Sequence, residues 1–152
     1  MLKKIGQKLK EQKGLTLIEL LAVVVILGII AAIAIPSIGG LIDNSKKDAH
    51  VANAQQMINS AKTWVTGNAE EFTDSDGKAI TQTLYLKDMI KDNLIDPMKD
   101  PDKGNYDTEK SFVLIEKSGS GYKYTVTLIN GTRGIKAKTS DELKRKNVED
   151  IK

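Results

Sequence analysis

The feature that most constrains this chain is a largely apolar run near its N-terminus, from Leu15 to Ile35, in which Glu19 is the single charged residue. As a helix the run would be about 32 Å long, enough to cross the roughly 30 Å hydrocarbon core of a bilayer. An ionised carboxylate within hydrocarbon is costly, so an acid at this place is by default a functional group with a partner. The run therefore predicts a membrane-inserting helix whose carboxylate is paired.

The charges before the apolar run indicate its orientation. Residues 1–14 contain five lysines and one glutamate, whereas the rest of the chain holds slightly more acid than base. The net charge of +3 therefore comes entirely from these first residues. A basic segment before an apolar run is typical of a cytoplasmic flank. The near-neutral remainder gives no electrostatic reason to expect nucleic-acid binding.

The reactive side chains that many enzymes need are scarce in this sequence. With no cysteine and one histidine, the chain cannot form disulfides, thiolate metal sites, a cysteine nucleophile or a histidine-based metal cluster. The sequence also shows no nucleophile–base pair, phosphate-binding loop or dinucleotide fingerprint. We therefore expect a protein that is not an enzyme and that has no cofactor.

The stretch KGLTLIELL, at residues 13–21, and the aliphatic run that continues to Pro36 resemble the N-terminus of type IV prepilins and the related pseudopilins. The resemblance implies that a prepilin peptidase cuts after Gly14 and that the new terminal amine, on Leu15, is methylated. Leu15 stands where the family often has Phe or Met. Glu19 then matches the fifth mature residue, which pairs with the terminal amine of a neighbouring subunit. Pro36 matches the position where the family's long helix commonly kinks.

A secretory signal peptide is the first alternative, because Ala32-Ile33-Ala34 fits the small-x-small rule for cleavage. Against it, the apolar run is longer than the roughly 7–15 residues usual in such a peptide. A discarded segment would also give Glu19 no role. Under this alternative the product would be a secreted binding domain that begins at Ile35.

The sequence divides into a leader at 1–14, a membrane or filament-core half-helix at 15–36, an amphipathic half-helix at 37–66 and a small head at 67–152. The two half-helices are predicted to form one long helix. Helical spacing predicts a packing face along the amphipathic half. Its members are Ile38, Leu41, Ile42, Ser45, Ala49, Ala52, Ala54, Ile58, Ala61 and Val65.

Three segments of the head are predicted to be strands. Those at 111–116 and 122–129 flank the turn Ser118-Gly119-Ser120-Gly121, and the third lies at 134–138. The predicted fold class is α+β. It consists of a long N-terminal α-helix packed against a small antiparallel three-stranded β-sheet.

The remaining segments of the head are predicted to be helical or irregular. Residues 67–82 are expected to form an irregular connection, and Thr139 with Glu142 matches a capping box for a short C-terminal helix. A short helix is expected at 83–95, with core contacts from Leu84, Met89, Ile90 and Leu94.

Three acids, Asp96, Asp100 and Asp102, lie in a proline-containing loop. Since secretion-type pseudopilins often bind calcium in a loop before their last strands, the resemblance raises calcium binding as an alternative to a solvated loop. Lys99 and Lys103 would oppose a cation in this loop, so no metal site is assigned.

The other residues that draw attention have simpler interpretations. His50 is expected at the surface or between subunits, because no second ligand lies near it in sequence, and Trp64 is expected in the core. A moderately basic C-terminal region is interpreted as a solvated face rather than a DNA-binding patch, since acids dilute it. It comprises Arg133, Lys136, Lys138, Lys144, Arg145 and Lys146.

Together these features predict a structural subunit of a type IV pilus or pseudopilus that polymerises through its N-terminal apolar helix. The expected partners are the prepilin peptidase, other copies of the chain, other pilins and the membrane. Before assembly the chain is expected in the cytoplasmic membrane as a single-pass protein, and afterwards in an extracellular filament.

Two finer expectations accompany this function. A Gram-positive source is expected, because the chain lacks the cysteines that close the C-terminal region of many Gram-negative pilins. The second alternative is a competence pseudopilin that handles DNA, which would add nucleic acid to the partners.

Overall fold

The computed structural model describes residues 16–73 and 79–151, and the chain divides into two compact units, Met1–Ile42 and Asp43–Lys152. The first helix, α1 (Leu17–Gly67), contributes to both units. Each unit is described separately below. The predicted leader and the cleavage position lie outside the described residues.

In the first unit, the described residues form the beginning of α1, which includes Pro36. This part of the helix is apolar on every side and, within the described residues, its large hydrophobic side chains are exposed, from Leu17 to Ile42. A helix that is hydrophobic all round must be buried in a protein core, a membrane or an assembly. By length and composition α1 is able to cross a membrane.

In the second unit, one face of α1 packs into the head. Ala54, Ile58, Ala61 and Val65 are buried, as the helical spacing predicted. Towards the N-terminus, however, the buried face continues through His50 and not through the predicted small residues at 49 and 52. At 3.6 residues per turn, position 50 lies above position 54 on the same face, whereas positions 49 and 52 are rotated away from it.

The head contains a five-stranded antiparallel sheet in the order β1-β2-β3-β4-β5, so the three-stranded prediction is wrong by two strands. Strands β2, β3 and β4 correspond to the three predicted segments. The strands are β1 (Thr81–Tyr85), β2 (Phe112–Ser118), β3 (Gly121–Ile129), β4 (Arg133–Thr139) and β5 (Glu149–Asp150).

The two extra strands lie at the ends of the sheet. β1 occupies the start of the predicted helix, and α2 (Leu86–Lys91) follows it directly. Tyr85 of β1 is paired with Phe112 of β2, and their rings lie 5.8 Å apart. Cross-strand aromatic pairs of this kind stabilise a strand. Because the partner strand is distant in sequence, helical periodicity alone wrongly predicted a helix at the start of this segment.

The core of the head lies between α1 and one face of the sheet. The predicted core residues Leu84 and Met89 are buried, and Ile90 and Leu94 pack partly buried against them. Trp64 also packs against this core, with its ring 5.9 Å from that of Phe72. The fully buried residues that strands contribute are Val113, Ile115, Val126, Leu128 and Ile135.

Short 3-10 turns complete the described part of the head. One turn follows α1 (Ala69–Phe72), within the predicted irregular connection, and two follow β4 (Ser140–Glu142 and Arg145–Asn147). The capping box between Thr139 and Glu142 is present as predicted. It caps a single 3-10 turn rather than the short C-terminal helix that was expected.

Candidate functional site

The first candidate site is the beginning of α1, where Thr16 and Glu19 are hydrogen-bonded to each other. The Glu19 carboxylate oxygen Oε2 accepts hydrogen bonds from the Thr16 backbone N–H at 2.7 Å and from the Thr16 hydroxyl at 2.8 Å. In return, the Glu19 backbone N–H donates to Thr16 Oγ1 at 3.3 Å. This reciprocal arrangement is a capping box, and it places the carboxylate against the positive end of the helix.

The two oxygens of the Glu19 carboxylate have different surroundings. Within residues 16–73 and 79–151, hydrogen bonds reach Oε2 and none reaches Oε1. Both Thr16 and Glu19 are exposed. The carboxylate therefore has its own partial cap and retains an oxygen that can accept a further donor.

The other predicted residues of this site are described only in part. Gly14 and Leu15, the expected cleavage and methylation residues, lie outside the described residues. Pro36 lies inside α1. Its expected role in bending the helix, and every assembly role at this site, stays a prediction.

A second cluster of functional side chains lies in the head, and the sequence did not predict it. His50 of α1, with a side chain that is 1% exposed, meets Asp100 and Asp102 from the loop after α2. Asn130 joins them from the turn between β3 and β4. The expectation that His50 lies at the surface is therefore wrong within this chain. We call these four residues, together with Tyr106 and Arg133, the head network.

Local turn chemistry brings the loop into the head network. Lys103 has a left-handed backbone (φ 66°), and a Cβ on the next residue, Gly104, would lie 2.8 Å from Asp100 Oδ2. Glycine at 104 thus lets the backbone approach the carboxylate. The Asn130 side-chain carbonyl accepts the Thr132 N–H at 2.8 Å, which is an Asx-turn that aims the amide NH2 at the loop.

The two ring nitrogens of His50 join two parts of the head network. Its Nε2 hydrogen-bonds with Asp102 Oδ2 at 2.9 Å, and its Nδ1 hydrogen-bonds with the Tyr106 hydroxyl at 2.7 Å. The Tyr106 oxygen in turn accepts from the Asn53 amide at 2.9 Å. Burial, with the nearby Asp100 and Asp102 charges, raises the pKa of Tyr106, so its hydroxyl keeps its proton and remains a donor.

Positive side chains compensate the acids of the head network. Arg133 lies 3.6 Å from Asp102 and donates to Asp43 at 2.8 Å and to Asp150 at 3.3 Å. Lys46 approaches the same Asp102 oxygen at 3.4 Å. Carboxylates that are removed from water are tolerated when they are paired and hydrogen-bonded, as they are here.

The ligand atoms of His50, Asp100 and Asp102 lie within 4.8 Å of one another, as in a metal centre. Asp96, the third acid of the calcium alternative, is exposed and does not belong to this group. The Asn130 NH2 donates to both oxygens of Asp100 at 2.8 and 2.9 Å, so it occupies the positions that a cation would need. With Arg133 and Lys46 supplying positive charge, the group fits an internal ion-pair network better than a calcium site.

The Asp102–His50–Tyr106 chain has the order of a catalytic triad, but it lacks an accessible nucleophile. Tyr106 is 7% exposed, and its hydroxyl is already bonded to His50 and Asn53. A raised pKa also makes a phenol a weaker nucleophile at neutral pH. The geometry of these three side chains supports a structural role for them.

The sequence contained one signal for the head network that was not used. His50 precedes Ala54 by four residues, so it continues the buried face of α1. A histidine on a buried helical face needs polar partners, and the polar loop 96–107 could have been proposed to supply them. Which residues of that loop reach His50 is determined by the fold.

The C-terminal basic region is partly neutralised within the head. Arg145 donates to both oxygens of Asp48, with its Nε at 2.8 Å, and Arg133 contacts three acids as described above. The exposed positions 136, 144, 145 and 146 agree with the interpretation of this region as a solvated face, whereas Arg133 is 15% exposed and belongs to the head network. The ion pairs give no support to a DNA-binding patch.

Comparison with known proteins adds one match. Residues 9–35 match the family model described as a prokaryotic N-terminal methylation motif, which is the type IV prepilin signal motif. No curated protein and no solved structure matches the chain significantly. The N-terminal segment therefore carries a prepilin-type motif, as its resemblance indicated, and the motif points to a structural protein. The Gram-positive source stays a prediction, because the motif is described only as prokaryotic.

Proposed function

We propose that this pilin-type precursor becomes a structural subunit of a type IV pilus or pseudopilus. The prepilin peptidase cuts after Gly14, the new amine of Leu15 is methylated, and the subunit polymerises by burying residues 15–35 between copies. Glu19 then pairs with the terminal amine of a neighbouring subunit. Before assembly the chain is held in the cytoplasmic membrane by the same segment.

The observation that carries this proposal is the match of residues 9–35 to the methylation motif, which overlaps the beginning of the apolar helix α1 at Leu17. The exposed side chains of the first unit need an apolar environment, which hydrocarbon supplies before assembly and other copies supply afterwards. Cleavage after Gly14 would create a positive amine four residues before Glu19. An amine and a carboxylate buried together cost far less than either one buried alone.

The experiment is the intact mass and N-terminal sequence of the protein recovered from its native host. We expect a chain that starts at N-methylated Leu15, and an uncut chain from a matched strain that lacks the prepilin peptidase. A start at Ile35 would show cleavage after Ala34 and would make the product a secreted binding domain. An uncut chain in the peptidase-positive strain would also contradict the proposal.

A DNA-handling role has no specific support in the head, where Arg133 and Arg145 are ion-paired. That alternative requires salt-dependent retention of the protein on DNA. The retention should be lost when the lysines at 136, 138, 144 and 146 are neutralised.

A further inference from the structure

A surface groove of about 500 Å³ lies in the head and shares no residue with the head network. Its walls come from α1, from the first half of β3 and from the turn that follows β4. The side chains of Tyr122 and Tyr124 line the groove and are half-buried against the core. A groove of this volume, with aromatic walls and a few polar groups, is large enough to hold a ligand.

The groove lies where β3 has no neighbouring strand on one of its two edges. β2 pairs with β3 from Gly121 onwards, whereas β4 pairs with it only from Thr125, which lies opposite Thr139. After Thr139 the chain turns away from β3 in a 3-10 turn. Within the described residues, positions 121–124 of β3 therefore have no strand beside them on that edge.

The hairpin of β2 and β3 determines which backbone groups face the groove. Its turn has two residues, with Gly119 in the left-handed conformation (φ 60°), and it is closed by the pair of Ser118 with Gly121. In a hairpin of this kind the closing pair is hydrogen-bonded, so the next residue of β3 that bonds to β2 is Lys123. Tyr122, between them, directs its N–H and C=O to the opposite edge, towards the groove.

The charges around this free edge favour an acidic ligand. Lys62 of α1 and Lys123 of β3 line the groove, and Lys117 lies in the neighbouring strand β2. All three lysines are exposed, and none forms an ion pair with another described residue. The lining contains one acid, Asp141, and the adjacent Glu142 is already hydrogen-bonded in its capping box.

We propose that the groove binds an extended, acidic segment of another protein, which adds to the free edge of β3 as a short strand. The backbone of this segment accepts from the Tyr122 N–H and donates to the Tyr122 carbonyl, as in β-strand addition. Its carboxylates pair with Lys62 and Lys123, and its other side chains pack on the tyrosine rings. A peptide supplies the regularly spaced donors and acceptors that continue a sheet, which a carbohydrate does not. This inference concerns the head and does not depend on the proposed function.

The test uses the full chain in detergent and three synthetic peptides of about eight residues, the length of an ordinary strand. The first alternates valine with aspartate, the second alternates valine with lysine, and the third is the first with its backbone amides N-methylated. Binding is measured by the fluorescence anisotropy of a label on each peptide. We expect the aspartate peptide to bind at least about 10-fold more tightly than either of the others.

Amide hydrogen exchange, followed residue by residue by NMR, locates the bound peptide. We expect exchange of the Tyr122 N–H to slow at least about 10-fold when the aspartate peptide binds, because this N–H gains an acceptor. The N–H groups of β1, at one end of the sheet, are the internal control and should not change. Binding that leaves the exchange of Tyr122 unchanged would place the peptide elsewhere and overturn the inference.

A charge reversal tests the role of the lysines. Lys62→Glu changes an exposed residue of the groove, and Lys91→Glu changes an exposed lysine of α2 that does not line it. We expect Lys62→Glu to weaken binding of the aspartate peptide about 10-fold, and Lys91→Glu to leave it within about 2-fold of the wild type. Both variants should melt as the wild type does, because both positions are exposed.

Three further results would overturn the inference. Equal binding of the N-methylated peptide would show that charge holds the ligand without an added strand. Equal binding of the lysine peptide would remove the preference for an acidic segment. If the aspartate peptide does not bind, or if polygalacturonate binds more tightly than the peptide, the groove is not a site for an extended peptide.

Discussion

The two units of this protein solve the same problem, a carboxylate that needs partners, over very different sequence distances. In the first unit, Glu19 takes its hydrogen bonds from Thr16, three residues away. In the head, Asp102 takes them from His50, 52 residues away, and from Asn130, 28 residues away. A local cap forms as soon as a helix begins, whereas the head network exists only once the head has folded.

The two units also differ in how they bury apolar surface. The head supplies its own core, between α1 and the sheet, while the large apolar side chains of the first unit are exposed within the described residues. The chain by itself therefore buries the apolar side chains of the head, and those of the first unit need a membrane or another molecule to cover them. The comparison suggests that changes in the first unit alter assembly, and changes in the head alter stability.

The largest effect on filament formation is expected from moving the carboxylate of the first unit by one residue. The double change Glu19→Leu with Leu20→Glu keeps composition and net charge but turns the carboxylate about 100° around the helix, away from Thr16. We expect filaments to be lost as completely as in Glu19→Ala. The head should melt normally by the fluorescence of Trp64, the single tryptophan.

A matched control for this change is Glu70→Ala, which removes an exposed acid from the head. It should affect neither filament yield nor melting. If the double variant formed filaments normally, the position of the carboxylate on the helix would be unimportant. The proposed difference between the two units would then be wrong.

In the head, the largest loss of stability is expected for Arg133→Ala. Its side chain is 15% exposed and lies among Asp43, Asp102 and Asp150, so its removal leaves acids together without their main compensating charge. We expect the free energy of unfolding to fall by about 3 kcal/mol, measured by denaturant titration of the full chain in detergent.

The control for Arg133 is Arg145→Ala, which removes an arginine from a more exposed ion pair with Asp48. Its effect on unfolding should be much smaller, because solvent screens exposed pairs. Equal effects of the two substitutions would show that burial does not distinguish these pairs.

A smaller loss is expected for Tyr106→Phe. The change removes the hydroxyl that hydrogen-bonds with His50 and accepts from Asn53, and it leaves both side chains without that partner in a largely buried place. We expect a loss of about 1–2 kcal/mol in the free energy of unfolding. Tyr85→Phe, at a side chain that is 37% exposed, is the matched control and should be neutral.

The smallest expected effect is a loss of stability of the head at low pH. Burial raises the pKa of Asp102, but hydrogen bonds from His50 and Asn130 and the charge of Arg133 outweigh burial, so this pKa is below its ordinary value of 3.8. A carboxyl with a lowered folded-state pKa contributes stability above its unfolded pKa and loses it as pH falls through the folded one. The head should therefore weaken below about pH 4.

A comparison of Asp102→Asn with the wild type tests whether Asp102 causes the acid sensitivity of the head. The variant should be less stable at neutral pH and should lose less stability between about pH 5 and pH 2. Parallel pH profiles of the two proteins would assign the acid sensitivity to other carboxyls.

The sequence by itself determined the features that depend on neighbours along the chain. The apolar run with one acid, the prepilin-type motif, the hairpin of β2 and β3, the buried positions 54, 58, 61 and 65 and the capping box at Thr139 all follow from spacing and residue type. Each is set by contacts within a few residues, where helix period and turn chemistry are reliable guides.

Only the tertiary structure decided the two outer strands and the head network. β1 is a strand because β2 pairs with it, and β5 pairs with just two residues of β4, so neither has a strong local signature. His50 is buried because Asp102 and Tyr106 reach it from another part of the chain. Such contacts depend on how distant segments meet, and one sequence without its fold does not specify them.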